Sequence, residues 1–416
     1  MRRPSRDQFG ALAERDYRLL FSATTITTAG DQMAGIALAF AVLAVGSVTD
    51  LGIVLGARQG VEAIVLVFGG VLSDRLPRNL ILVGASLMQG AAQIATAAVV
   101  ISGSASIGLI VALQALYGIG AGFVVPAEVG LVPQIVSAER LQQANALQGM
   151  SRNIVGIAGP VIGGTLVALG SPGIALAIDA ASFLVCAALL ARIHLSRRAA
   201  TDREGYFAEL RAGWREFSSH TWLWSTVGIF GISNMFYVGC WAVLGPEIAN
   251  TDYGGAGPWA LWSAAFGVGA ILGGIVTLRI RPSRPLLVSV LAPVPMTFGL
   301  IGLALTFPVW VIACTSVLAG IGLSIHLALW FTVFQREIPE EAQSRVSSYD
   351  ALGSFVLIPV GMALAGPTAA AIGIDATLWL AVAIFLVSTA IIAAIPSVWA
   401  IRASGVPCAH APTMPA

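Results

Sequence analysis

The chain has 416 residues, of which 57% are hydrophobic and only 10% charged, where an ordinary soluble domain carries about 25% charged residues. With a mean hydropathy of +0.86 it lacks the polar residues needed to cover a water-soluble fold of this size, so its natural solvent is lipid. The net charge of +1 gives no electrostatic footprint for nucleic acid, every basic residue is arginine, and Cys186, Cys240, Cys314 and Cys408 stand too far apart to read as a disulfide framework or metal site.

A bilayer crossing needs about 20 mostly apolar residues, and on that criterion the chain is an all-α membrane protein with about twelve spans. They are predicted near 17–46, 50–72, 79–101, 107–127, 145–169, 173–194, 222–246, 254–278, 285–306, 309–333, 346–371 and 376–400. Residues 79–127 carry no charge and read as a helical hairpin broken at Ser102-Gly103-Ser104-Ala105-Ser106. The stretch 285–335 repeats that plan, with its break at Phe307-Pro308.

Basic residues accumulate in cytoplasmic loops, which tests the span count independently of hydropathy. Arg2, Arg3, Arg6, Arg15 and Arg18 precede the first span, Arg75 and Arg78 follow the second, and Arg140 and Arg152 flank the turn from fourth to fifth. Arg192, Arg197, Arg198, Arg203, Arg211, Arg215, Arg279, Arg281, Arg284, Arg336, Arg345 and Arg402 fall on the same side, so both termini are expected in the cytoplasm and only Arg58 is left in mid-membrane. The N-terminal segment is too charged, and its apolar run too long, for a cleaved signal peptide.

The predicted organisation is a cytoplasmic segment (1–16), a six-helix bundle (17–195), a cytoplasmic linker (196–221), a second six-helix bundle (222–401) and a disordered tail (402–416). In the linker, Tyr206, Phe207, Leu210, Trp214 and Phe217 recur at three- and four-residue spacing, as expected of an amphipathic helix lying on the inner membrane face. The halves resemble each other at an offset near 200 residues. Gly69-Gly70 before Arg75 and Arg78 is answered by Gly273-Gly274 before Arg279, Arg281 and Arg284, and Gln134, Glu139 and Arg140 by Gln335, Glu340 and Arg345. Duplicated bundles are the plan in which transporters place a substrate site at the midplane between halves.

Ionisable groups within a membrane cost several kcal/mol, about 2.5–3.5 on insertion scales, unless paired or facing water. Asp31 lies near the middle of the first span, on a polar stripe with Thr24, Thr28 and Gly35, and Asn234 stands at the matching depth of the second half among Ser233, Tyr237 and Trp241. The stripe predicts an aqueous cavity in which Asp31 exchanges protons or meets substrate; the alternative is a structural aspartate bonded to a neighbouring helix. Arg58 and Glu62 stand four apart on one face of the second span, as an internal ion pair, as a partner for Asp31 or substrate, or as a second protonation site. Asp179 and Glu247 read as interfacial residues near the outer ends of their spans. Phe230, Phe236, Trp259, Trp262 and Phe266 can bind a hydrophobic guest or form an aromatic belt, and His326 reads as structural.

The segment Gly69-Gly70-Val71-Leu72-Ser73-Asp74-Arg75-Leu76-Pro77-Arg78 resembles the loop signature of the major facilitator superfamily. Gly159-Pro160-Val161-Ile162-Gly163-Gly164 is similar to the fifth-helix motif of its exporters. Val125-Pro126-Ala127, Ala144-Asn145-Ala146, Gly30-Asp31 and Glu209-Leu210-Arg211-Ala212-Gly213-Trp214 resemble the bacterial branch that contains macrolide-efflux and enterobactin-export proteins. The resemblance implies a major facilitator fold of two pseudo-symmetric bundles. It also implies a cytoplasmic gate at Gly70, Asp74, Arg75 and Arg78, with Asp74 meeting the positive N-terminus of the eleventh span near Val346 and Arg345 adding a charge partner. Glu128 would pair with Arg75 or Arg78, with Asp350 or Arg152 contributing; the alternative is that these arginines only fix topology. Gly159, Pro160, Gly163 and Gly164 thin and deform the fifth span, allowing a close contact between halves.

The expected function is export of a hydrophobic or amphipathic small molecule, a drug, macrolide-like antibiotic or secondary metabolite, across a bacterial cytoplasmic membrane in exchange for protons. The alternatives are a dedicated siderophore or metabolite exporter and a non-transporting scaffold or lipid scramblase. No cofactor or metal is expected, and without lysine no nucleotide-binding Walker motif is possible. No nucleophile, base and metal cluster suggests an enzyme, and the expected partners are the substrate, protons and the lipid bilayer, with a monomer as the working unit.

Overall fold

The computed structural model describes residues 6–73, 77–170, 172–193 and 206–403, and all regular structure in them is helical. The first half holds α1 (Arg15–Val45), α2 (Val48–Ser73), α3 (Arg78–Ile101), α4 (Ile107–Ile135), α5 (Leu141–Ala168) and α6 (Pro172–Leu190). The linker helix is α7 (Tyr206–Ser219). The second half holds α8 (Thr221–Asp252), α9 (Ala256–Thr277), α10 (Pro285–Leu291), α11 (Met296–Ala304), α12 (Val309–Glu337), α13 (Glu340–Phe355), α14 (Ile358–Ile372), α15 (Ile374–Ala394) and α16 (Pro396–Ala400).

Each predicted span has a helical counterpart, but several are broken. Pro293 and Pro295 divide the ninth into α10 and α11, Pro359 marks the division of the eleventh into α13 and α14, and Pro396 ends the twelfth at α15. The missing N–H of proline and its clash with the preceding turn account for these interruptions. The fourth span runs on to Ile135 through Pro126 and Pro133. The eleventh begins at Glu340 rather than Val346, with Glu340 and Glu341 in its first turn, so Arg345 and Val346 lie inside a helix and not at its positive end.

Ten helical stretches among the described residues are long and apolar enough to cross a bilayer, against about twelve expected. Helix α5 is a long helix outside that group. Asp50, Arg58 and Glu62 lie in α2, and Gln142, Gln143, Asn145, Gln148, Arg152 and Asn153 crowd the first half of α5. These are also the helices through which the first half meets the second, α2 against α14 and α5 against α9.

Alternate turns collect the described loop arginines at one end of the molecule; most of the opposite turns contain residues with positive φ, namely Gly103, Gly170, Gly254, Gly255, Gly373 and Thr306. At this arginine-poor end both halves share one core, in which Leu38, Phe40 and Leu51 belong with Val243, Trp262, Met362 and Leu378. At the arginine-rich end the cores are separate. Tyr17, Leu20, Leu131 and Leu190 pack within the first half, and Phe217, Trp222, Leu286 and Trp330 within the second. Helix α7 joins the second of these cores, with Trp214 and Phe217 against Tyr349 at ring distances of 5.5 and 5.8 Å.

The shared core closes because glycine permits near contact of backbones. A Cβ on Gly52 would lie 2.4 Å from the Met362 carbonyl oxygen, one on Gly366 2.4 Å from Thr49 Cα, and one on Gly164 2.3 Å from Ala260 Cβ. Overpacking of this kind destabilises by about 1–3 kcal/mol. Gly52→Ala is expected to lower the unfolding temperature of the purified protein in detergent. Gly84→Ala, where a Cβ meets nothing within 4 Å, should leave it unchanged or slightly raised. Equal melting temperatures for the two variants would contradict the account of the seal.

Candidate functional site

The polar stripe of α1 is present, and most of it is satisfied locally. Thr24 donates to Leu20 O at 3.1 Å and Thr28 to Thr24 O at 2.7 Å, which spends their hydroxyl protons within the helix. Asp31 has no such local partner. Its Oδ1 accepts from Arg58 of α2 at 3.4 Å and from the Tyr117 hydroxyl of α4. The Arg58 guanidinium also lies 3.8 Å from the centroid of the Tyr117 ring and donates to Gln114 Oε1 at 3.5 Å. One aspartate thus joins three helices through a cation that itself rests on an aromatic face. The Asp31 side chain is 35% exposed and that of Arg58 18%, so the pair is only partly enclosed.

Arg58 turns to Asp31 and not to Glu62, so of the alternatives for this residue the structure has the partner for Asp31 and not the ion pair within α2. Glu62 stays half-buried and within electrostatic reach of both. The reading of Asp179 as interfacial is corrected. It is buried completely, and its oxygens accept from Gln93 Nε2 at 2.6 Å and Ser182 Oγ at 3.4 Å. Depth along α6 does not make it interfacial, because α1 and α3 cover that face.

The expected cavity set separates into two places. Thr24 and Thr28 line a small pocket with Glu128, Gln148, Ser151 and Arg152. Asn234 is withdrawn into the second half, donating to Ser354 O at 3.2 Å, and Tyr237 is buried between Trp241 and Phe385. Trp241 packs in turn on Trp259 at 5.2 Å. Asn234 and Tyr237 therefore do not answer Asp31 across a cavity, because bundle packing turns them inward.

Of the gate residues, Asp74 and Arg75 lie outside the described residues, and Gly70 is in the last turn of α2. Arg78 opens α3 and donates to Gly130 O of α4. Glu128 accepts from Arg152 at 3.2 Å and Gln148 at 3.1 Å, both on α5. Arg345 donates to Glu341 O at 2.9 Å in its own helix, and Asp350 accepts from Trp330 Nε1 at 2.9 Å. These contacts, between described residues, each lie within one half or the other. In α5, a Cβ on Gly159 would lie 2.4 Å from Gln32 Cβ and one on Gly163 2.7 Å from Met33 O, while Gly164 meets α9. Pro160 is buried between them. The motif thus thins two faces, one toward α1 and one toward the other half.

Tyr117, Gln114, Gln93 and Thr96 are the residues that a search for charges alone passes over. Their signal was an uncharged one: amides and a phenol at helical spacing inside the charge-free stretch 79–127.

Removing one member of a charge pair leaves the other uncompensated, at about 3–5 kcal/mol for an enclosed pair and less here because Asp31 is partly exposed. Asp31→Ala and Arg58→Ala should each lower the melting temperature, and the double variant should lose less than the sum. A coupling below about 0.5 kcal/mol would mean that the two residues are independent.

A family model described as Major Facilitator Superfamily matches residues 20–361. The chain is 26% identical over 369 residues to the enterobactin exporter EntS of Salmonella typhimurium, covering 85% of this chain and 87% of that one. It is also 26% identical over 258 residues to the uncharacterized MFS-type transporter YvqJ of Bacillus subtilis, a stretch that spans 60% of each. Among solved structures, a bacterial homologue of the human lysosomal transporter Spinster, inward-facing and unoccupied, superposes with a TM-score of 0.71 at 15% identity, covering 94% of this chain and 99% of that one. A bacterial homologue of the iron transporter ferroportin, also inward-facing, gives 0.66 at 15% identity, covering 91% and 98%.

Proposed function

The chain belongs to the Major Facilitator Superfamily, and from that membership we propose that it exports a hydrophobic or amphipathic small molecule in exchange for protons by alternating access. It is a multi-pass membrane protein of a transporter family. The reading places it in a bacterial cytoplasmic membrane as a monomer with twelve crossings, α2 and α5 included, and with the arginine-rich end and both termini inside. Arginine sorting between the turns supports that orientation.

The observation that carries the proton coupling is the Asp31–Arg58–Tyr117 contact, in which Asp31 stays partly exposed. A carboxylate held by a cation has two ways to be neutralised, by the cation or by a proton, and the partial exposure of Asp31 leaves it within a proton's reach. In the arrangement described, Asp31 is bound to Arg58, the state expected after proton release toward the open side. Substrate then competes with the proton, and closure of the arginine-rich end exposes Asp31 to the other side. Export as the direction is supported by the α5 motif and by relatives named as exporters. The family and these relatives are transporters, which supports a role other than catalysis.

Because the matched exporters are enterobactin exporters, a second reading is a dedicated exporter of a siderophore or self-made metabolite. Proteoliposomes carrying the protein should show proton movement that depends on added substrate, with a drug panel and catecholate compounds separating the two readings. Asp31→Asn should insert normally and lose coupled transport by about 100-fold or more, about 2.7 kcal/mol. Transport unaffected by collapse of the pH gradient would sink the antiport reading, and a scaffold or scramblase would show no substrate-dependent proton signal.

A further inference from the structure

Behind the Asp31–Arg58 contact lies a second carboxylate that the proposed exchange does not yet use. Asp179 is fully buried on α6, and Gly30 approaches it so closely that a Cβ there would lie 2.3 Å from its Oδ1. Both of its donors, Gln93 and Ser182, are neutral.

The amides that lead to it have a fixed direction. Thr96 donates its hydroxyl proton to Ala92 O at 2.8 Å, so its oxygen can only accept from Gln114, and Gln114 Nε2 faces it at 3.2 Å. That places Gln114 Oε1 toward Arg58 at 3.5 Å, while Gln114 Nε2 also reaches Gln93 Oε1 at 3.4 Å. Gln93 Nε2 is thereby left for Asp179 Oδ2, at 2.6 Å. Every donor runs one way, from the guanidinium through two amides to the buried carboxylate, and aligned bonds of this kind polarise one another.

We propose that Asp179 is the reserve counter-ion of Arg58, joined to it through Gln114 and Gln93, and that it allows Asp31 to take up a proton without stranding a buried cation. This rests on the proton-exchange reading. With both carboxylates ionised, the three groups carry one negative charge in excess; with Asp31 protonated and Asp179 ionised, Arg58 and Asp179 balance. A proton passes from water to the Asp31 carboxylate, one O–H bond forming as another breaks, and Arg58 keeps a partner throughout. The groups facing Asp31 are Arg58 and Glu62 from α2, Tyr117 from α4, and Asp179 and Cys186 from α6. Helix α5 meets α1 through Gly159 and Gly163, and α8 and α9 reach it at the shared core, which includes Tyr237, Cys240 and Tyr253.

The test is an infrared pH titration of the substrate-free protein in lipid nanodiscs. The Asp31 signal is the protonated-carboxyl band that Asp31→Asn removes. In Asp179→Asn, protonated Asp31 leaves Arg58 unbalanced, so the band's midpoint should move to lower pH by about one unit, a tenfold weaker proton affinity. Gln114→Met cuts the bridge while keeping both carboxylates, and should shift the midpoint the same way by less; it decides alone if Asp179→Asn does not fold. A purely structural Asp179 would lower the melting temperature and leave the midpoint in place, which overturns the inference and spares proton exchange. Absence of any titrating Asp31 band overturns both.

Discussion

Arg58 is the side chain around which the first half is organised, because a cation placed among apolar helices has to be neutralised within reach of its own stem. The membrane interior supplies neither water nor a high dielectric, so the surrounding helices must provide the compensation. They do so from several directions: Asp31 from α1, the Tyr117 ring and Gln114 amide from α4, and beyond them Gln93 on α3 and Asp179 on α6. Any change in the charge of Asp31 is therefore felt by the packing of five helices. A carboxylate that titrates in isolation would change only itself; one that shares its cation with the bundle can bias the arrangement of the bundle.

The glycine contacts determine where such a bias can act. At the arginine-poor end, Gly52, Gly164 and Gly366 bring the halves within backbone contact, and an apolar core runs through both. At the other end the halves keep separate cores, and Glu128–Arg152 and Asp350–Trp330 are contacts within a half. Small-residue contacts hold by close packing, with little polar bonding to break, so they suit surfaces that must separate and re-form. Helices α2 and α5 carry that interface, against α14 and α9.

The span plan was legible in the sequence because lipid imposes a length and a composition on each crossing, and because every loop arginine had a side to take. The breaks in the ninth, eleventh and twelfth spans were less so. Pro293, Pro295 and Pro359 were visible, but Pro126, Pro160 and Pro246 are accommodated inside continuous helices, so proline alone does not say which way a helix responds. Asp31 and Arg58 stood out as charges in apolar surroundings. Their partner Tyr117 and the Gln114–Gln93 bridge did not, since a search for ionised groups ignores neutral donors that compensate them. Asp179 was misread because position along a helix fixes depth, whereas burial depends on which neighbours cover that face.

The two halves, alike in plan, differ in what they bury. The first encloses a directional polar network around a cation. In the second, Asn234 bonds Ser354, His326 and Ser289 satisfy each other, and Phe230, His326, Trp330, Tyr237, Trp241 and Trp259 stack on their neighbours. Duplication of a bundle gives each position a counterpart, but only one copy has to hold the charge. Once Arg58 is compensated within the first half, the second is free to become aromatic and polarizable at the corresponding depth. That division leaves the charge-dependent interactions to the first half, while the second is held by dispersion and ring contacts whose strength does not depend on the charge of Asp31.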